Sequence, residues 1–215
     1  MCFSPSVSFI AGASLLAVGA GSINYAKEPH QNFFAVIPIL FATQQFFEGL
    51  LWLSLLNADF LELKRSSMYG FLLFAQIIWP VWVPLSIWNL EEDKKKKKLQ
   101  TIFLLMGIVV STYLLFCLLF FPVSTEISNG HIQYALDFPH TEIYILSIMY
   151  FIPIVISPFF SSVKYMKILG VLVFFSFLIT SLFFNENLIS VWCFFAAIIS
   201  IMVLFIVRNL NKITN

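Results

Sequence analysis

Long apolar runs alternate with short polar connections along the whole chain. Seven runs are read, at 5–26, 33–56, 68–90, 99–121, 143–160, 168–184 and 188–207. Their lengths fall in the roughly 17–25 residues that cross a bilayer as a helix. Backbone buried in lipid must satisfy its own polar groups, and a helix does so within one segment. The pattern therefore predicts an all-α fold, a polytopic seven-helix transmembrane bundle forming a single integral membrane domain over 1–215. The segment 122–142 is read as the longest connection, and Asn185-Glu186-Asn187 as a tight turn.

Seven spans place the termini on opposite sides, and the cations indicate which is which. Lys27, Lys94 to Lys98, Lys164, Lys167, Arg208 and Lys212 fall on one side. Lys64 and Arg65 fall on the other. Cytoplasmic loops carry the excess of Lys and Arg, so the N-terminus is expected outside and the C-terminus inside. The five consecutive lysines are read as this topology signal in a polar loop. Nucleic acid is not an expected partner; the lipid bilayer is.

Composition agrees with the pattern. Of 215 residues 60% are hydrophobic and 11% charged, and mean hydropathy is +0.92. Soluble domains carry about 25% charged residues. No Lys or Arg precedes the first run, so a cleaved signal peptide is not expected. That first run is rich in Gly, Ala and Ser, which suits close helix packing.

Polar residues inside the runs are the candidate chemistry. Gln44, Glu48 and Trp52 recur at four-residue spacing on one helical face, with Gln45 on its flank. Gly49 would admit a neighbouring backbone. An acid in a span must face the protein interior and find a partner. Glu48 is either a binding, proton-handling or catalytic carboxylate or a buried staple between helices. In the third run, Pro80 and Pro84 free the carbonyls of Gln76 and Pro80, so a kink is expected. Counting residues from the outer ends places Glu48 and Gln76 at roughly 12 Å depth. Tyr113, Tyr150, Trp192 and Cys193 fall near the same layer. We expect these residues to line a polar pocket in the outer half, open to or lidded by 122–142 with His131.

The cysteines leave several readings open. Cys2, Cys117 and Cys193 all fall toward the outer side. An outer disulfide between Cys2 and Cys193, thiolate ligation of a metal, or three inert buried thiols fit the spacing. His30 lies on the inner side and His131 and His140 on the outer, which argues against a three-histidine intramembrane zinc site. The lysines lie in connections or the tail, which excludes a retinal Schiff base. There is no Gly-x-Ser-x-Gly, His-Glu-x-x-His or phosphate-binding glycine loop.

Several blocks carry a resemblance. They are Met1-Cys2-Phe3-Ser4, Gln44-Gln45-x-x-Glu48-Gly49-x-x-Trp52, Trp79-Pro80-x-Trp82-x-Pro84, His131-Ile132-x-Tyr134, Ser161-Ser162 and Val191-Trp192-Cys193-Phe194-Phe195-Ala196-Ala197. Together they resemble a family of uncharacterised bacterial multi-pass membrane proteins, over nearly the whole chain. The resemblance implies the bacterial cytoplasmic (inner) membrane and supplies no activity and no cofactor. The leading expectation is binding or sensing of a small ligand, or handling of a small solute, through the outer pocket. Glu48 would anchor the ligand, with Gln44, Gln45 and Gln76 around it and His131 in the lid. The alternatives are a membrane-embedded metal- or thiol-dependent oxidoreductase or hydrolase, and a structural subunit that assembles with its own copies or another membrane protein.

Overall fold

The computed structural model describes residues 4–139 and 143–210, the side chains of 143–145 excepted. Helix α1 (Pro5–Tyr25) starts at Ser4, whose hydroxyl accepts from the Val7 amide, with Pro5 at the first helical position. Its buried residues Ser8, Gly12, Leu15, Gly19 and Ser22 form one face. That face packs on α3 (Ile37–Leu56): a Cβ on Gly12 would sit 3.3 Å from the Ala42 carbonyl oxygen, and one on Gly19 3.2 Å from the Ile39 nitrogen. The small residues thus serve packing. The helical path into α3 begins earlier than the apolar pattern suggests, through a 3-10 turn at Pro29–Gln31 and a short α2 (Asn32–Ala35).

The next path runs from α4 (Leu63–Leu72) through a π-helical turn (Leu73–Ile78) into α5 (Trp79–Leu90). Proline removes a donor, and here the helix widens just before Pro80. The carbonyls met by side chains belong to Ala75, which accepts from the Tyr150 hydroxyl, and to Ile77, which accepts from Ser111 Oγ at 2.8 Å. The expected Gln76 carbonyl is not among them, because the widened turn shifts the pairing. The Pro80 carbonyl instead abuts Gly107 of α6 (Lys94–Phe120). A Cβ there would lie 1.9 Å from the Pro80 oxygen, so only glycine permits this contact.

Helix α6 corrects the reading of the lysine run as loop. Asp93 Oδ1 accepts from the Lys95 and Lys96 amides at 2.9 and 3.0 Å, and Lys94 to Lys98 form the first turns of the helix. The cap satisfies two orphan donors, and lysine is a good helix former. The 122–142 connection also holds regular structure. Strands β1 (Val123–Ser128) and β2 (His131–Leu136) pair antiparallel, with Ser128 opposite His131 and Val123 opposite Leu136. Asn129 and Gly130 both take positive φ, as a two-residue hairpin turn requires.

Helix α7 (Ile143–Phe151) continues through a π turn (Ile152–Ile156) and a 3-10 turn (Ser157–Phe160). Pro153 and Pro158 lack the amides that a regular helix would use there. This apolar stretch, Leu146–Phe160, is shorter than the others. Helix α8 (Met166–Phe183) follows, then a 3-10 turn at Asn185–Asn187, α9 (Leu188–Ile199) and α10 (Ile201–Leu210). Among the described residues, six helices are long and apolar enough to cross a membrane: Pro5–Tyr25, Pro29–Leu56, Leu63–Leu90, Lys94–Phe120, Met166–Phe183 and Asn185–Leu210. The outward faces are correspondingly oily. Leu119, Phe120, Leu182 and Phe183 are all mostly exposed. Large apolar surfaces of this kind need a lipid or protein cover.

The two ends of the bundle differ. At one end Trp82 donates to the Phe33 carbonyl, Arg208 lies over Tyr25, and Glu91 at the end of α5 meets Ser161 and Ser162. At the other end the hairpin lies on α4, with Tyr134 stacked on Phe71 at 5.0 Å, and on Phe184, which meets His131 edge-on. Leu51, Trp52, Phe71, Leu72 and Ile132 make the apolar cluster under the hairpin.

Candidate functional site

Two residues of α3 one turn apart face two residues of α9 three apart. Glu48 Oε1 accepts from Ser190 Oγ at 2.5 Å, and Gln44 Nε2 donates to Cys193 Sγ at 3.1 Å. The rungs run in opposite directions along the two helices, so α3 and α9 are locked antiparallel in register. Each bond has a further partner on the other side. Gln45 Nε2 donates to Glu48 Oε2 at 3.3 Å, and Trp79 Nε1 donates to Gln44 Oε1 at 2.8 Å. Gln44, Gln45, Glu48 and Ser190 are fully buried. The lattice thus ties α3, α5 and α9 at one level. A buried polar group is costly unless bonded, which is why the partners come from facing helices.

Two cavities flank this lattice. One, of about 70 Å3, is walled by apolar side chains such as Phe41, Trp79, Ile87, Ile154 and Leu169. The other, of about 300 Å3, lies under the end of the hairpin. Leu136, Phe138 and Pro139 roof it, Gln76 and Ala75 of the π turn form one wall, and Ser147, Tyr150 and Phe151 another. Tyr150, Trp192 and Cys193 line both cavities. All three side chains are held in place. Tyr150 donates to the Ala75 carbonyl, Trp192 Nε1 donates to Ser176 Oγ at 3.2 Å, and Cys193 accepts from Gln44.

A family model described as a family of unknown function (DUF6629) matches residues 1–214. The chain belongs to the DUF6629 family. No curated protein and no solved structure matches it.

The structure of this DUF6629 protein brings some of the sequence candidates together and separates others. Gln76, Tyr150, Trp192 and Cys193 share the larger cavity. Glu48, Gln44 and Gln45 are not lining residues: Gln44 meets the wall through Cys193, while Gln45 and Glu48 bond with each other and Glu48 with Ser190. Trp52 packs in the cluster under the hairpin, and among the described residues its indole N–H makes no hydrogen bond. Tyr113 is half-buried on α6 and lines neither cavity. His131 opens β2 with its ring edge-on to Phe184 at 5.2 Å, and burial pushes its pKa below the ordinary value. The roof over the cavity comes from residues farther along the same hairpin. Gly49 admits the Phe9 ring, not a backbone. Cys117 and Cys193 are free thiols, while the Cys2 and His140 readings fall outside the described residues. Among the described residues, no three of His, Cys, Asp and Glu cluster closely enough to hold a metal.

Sequence reasoning passed over a second buried carboxylate. Glu91 Oε2 accepts from Ser161 Oγ at 3.0 Å and from the Ser162 amide at 2.8 Å. Its Oε1 accepts from the Ser162 hydroxyl and from the Asp93 amide at 3.2 Å. Burial raises the Glu91 pKa, but these donors outweigh it and hold the carboxyl below its ordinary 4.5. The loop they fasten ends at Tyr165, in the left-handed region at φ 69°. Ser161-Ser162 had appeared as a sequence block, and nothing local linked it to Glu91.

Proposed function

We propose that this protein is an integral membrane protein of the bacterial cytoplasmic membrane, with seven spans, the N-terminus outside and the C-terminus inside. In this reading it binds or senses a small ligand through the cavity under the hairpin. The charge distribution supports the orientation. Lys27, Lys94 to Lys98, Lys164, Lys167 and Arg208 lie at or near the end that holds the Glu91 loop, whereas Lys64 and Arg65 lie at the hairpin end. In the fifth crossing, Leu146–Phe160, the π and 3-10 turns replace part of a regular span.

The observation that carries the binding reading is the cavity of about 300 Å3 itself. Its volume is that of a small-molecule site, and such sites pair an apolar wall with a few placed polar groups. Its lining includes Ser147, an exposed residue. The Gln44–Cys193 and Tyr150–Ala75 bonds hold its walls before any ligand arrives, which lowers the cost of binding. The Glu48 lattice then acts as the frame behind the pocket. The enzyme and partner-subunit readings draw on no comparable observation.

Native mass spectrometry of the protein released from native-lipid nanodiscs tests this, with wild type beside Ser147→Trp, which puts a bulky ring at the exposed part of the lining. A bound small mass in wild type that is lost in a stably folded Ser147→Trp is the expected result. A clean unliganded mass in both would overturn the reading.

A further inference from the structure

Resting on that reading of the cavity, we infer that its ligand is a neutral amphiphile with an apolar body and one carbonyl or hydroxyl head that meets the side-chain amide of Gln76. The described lining contains no Asp, Glu, Lys, Arg or His. Among the described residues a charged head would therefore find no counter-charge in this low-dielectric space, which is heavily penalised. The walls are Leu114, Phe151, Phe177, Leu188 and Trp192, and they accept hydrocarbon or a flat ring.

Most polar groups of the wall are already engaged within the protein. Tyr150 donates to Ala75, Trp192 to Ser176, and the Cys193 sulfur accepts from Gln44. Gln76 differs. It lies half-buried within the π turn and lines the cavity, and its side-chain amide makes no hydrogen bond among the described residues. An amide offers two donors and an acceptor. A carbonyl or hydroxyl satisfies it with no change of charge. Single π turns in otherwise regular helices occur often at functional sites, and this one supplies the wall that carries Gln76. Glu48, the expected charged anchor, lies behind that wall, so the cavity does not present it to the ligand.

Photolabelling of the full chain in nanodiscs tests the class. Three probes share one alkyl-diazirine chain and end in a hydroxyl, a carboxylate or a trimethylammonium group. Labelled residues are mapped by mass spectrometry. We expect the hydroxyl probe to label α7 and α9 residues of the lining at least about tenfold more than the charged probes. Gln76→Leu should reduce that labelling several-fold without changing thermal unfolding, since it removes no internal bond. Gln76→Glu should shift preference to the ammonium probe. Equal lining label from all three heads would overturn neutrality while leaving the cavity a binding site. Hydroxyl labelling indifferent to both Gln76 variants would overturn the role of that amide. Label confined to lipid-facing residues for every probe would remove the binding reading itself.

Discussion

Glu48 and Glu91 are both buried glutamates in an apolar protein, yet they are held in different ways. Glu48 sits mid-helix, and its two oxygens accept from the side chains of Ser190 and Gln45. Glu91 sits just past the end of α5, and its oxygens accept from two backbone amides and two hydroxyls. The difference follows from where backbone donors are available. Inside a helix the amides are used by the ladder, so a mid-span carboxylate must recruit side chains from facing helices. At a helix end the following turn and a neighbouring loop still offer N–H groups. Glu91 is thus a fastener between two connections, whereas Glu48 sets the register between two spans.

The largest effect should come from Glu91→Gln. The replacement has one oxygen and one NH2 group, so the NH2 group would face donors where an acceptor stood. The serine hydroxyl at that position can turn to accept from the NH2 group, but the backbone amide beside it, of Asp93 or Ser162, is left without its acceptor. Hydrogen bonds to a charged group are worth about 1.5–3 kcal/mol each. Discounted for partial solvent screening at the helix end, we expect a loss of about 2 kcal/mol, read as a lowered thermal midpoint in detergent. The loop carrying Tyr165, whose left-handed backbone is disfavoured, should become protease-sensitive in the variant. The pH dependence has a definite sign. The folded pKa of Glu91 lies below 4.5, so its contribution is full above that value and lost as the pH falls through the folded pKa. Wild type should lose stability steeply below about pH 4.5, and Glu91→Gln should show a shallower acid slope. Parallel slopes would mean that the carboxylate is not held ionised by this loop.

Both glutamates lie in the sequence as plain acids, but only one was legible as a site. The four-residue spacing of Gln44, Glu48 and Trp52 reads directly from the chain because a helix puts such residues on one face. Of the partners on the facing helix, Cys193 was read at the same layer, whereas Ser190 lies in an apolar run with no signature of its own. Glu91 sat among Glu92, Asp93 and five lysines, a context that resembles solvent-exposed loop. Its burial depends on Ser161 and Ser162, about seventy residues away, folding back onto it. The hairpin was legible and was passed over: Asn129-Gly130 stands between Val123-x-Thr125-x-Ile127 and Ile132-x-Tyr134-x-Leu136. The prolines announced a break in the third run, and Pro153 and Pro158 carried the same signal in the fifth, where it was passed over. Which carbonyl each break would release depended on the π register and on the donors opposite, Tyr150 and Ser111.

The smallest effect sharpens the contrast. Glu48→Gln keeps the shape and one acceptor, so Ser190 can still donate to it. The new NH2 group would face Gln45 Nε2, donor against donor. Gln45 can answer by turning its amide, because its Oε1 is buried and makes no hydrogen bond among the described residues. After that half-turn Oε1 accepts from the new NH2 group, and the pair is restored with its direction reversed. We therefore expect Glu48→Gln to cost less than about 1 kcal/mol in the same thermal series. The variant Gln45→Leu,Glu48→Gln, which cannot make the turn, should lose more, about 1–3 kcal/mol, since the new NH2 group is then buried against leucine with no acceptor. If Glu48→Gln instead costs as much as Glu91→Gln, the charge at Glu48 is itself a structural requirement. The distinction between a register staple and an ionised fastener would then collapse.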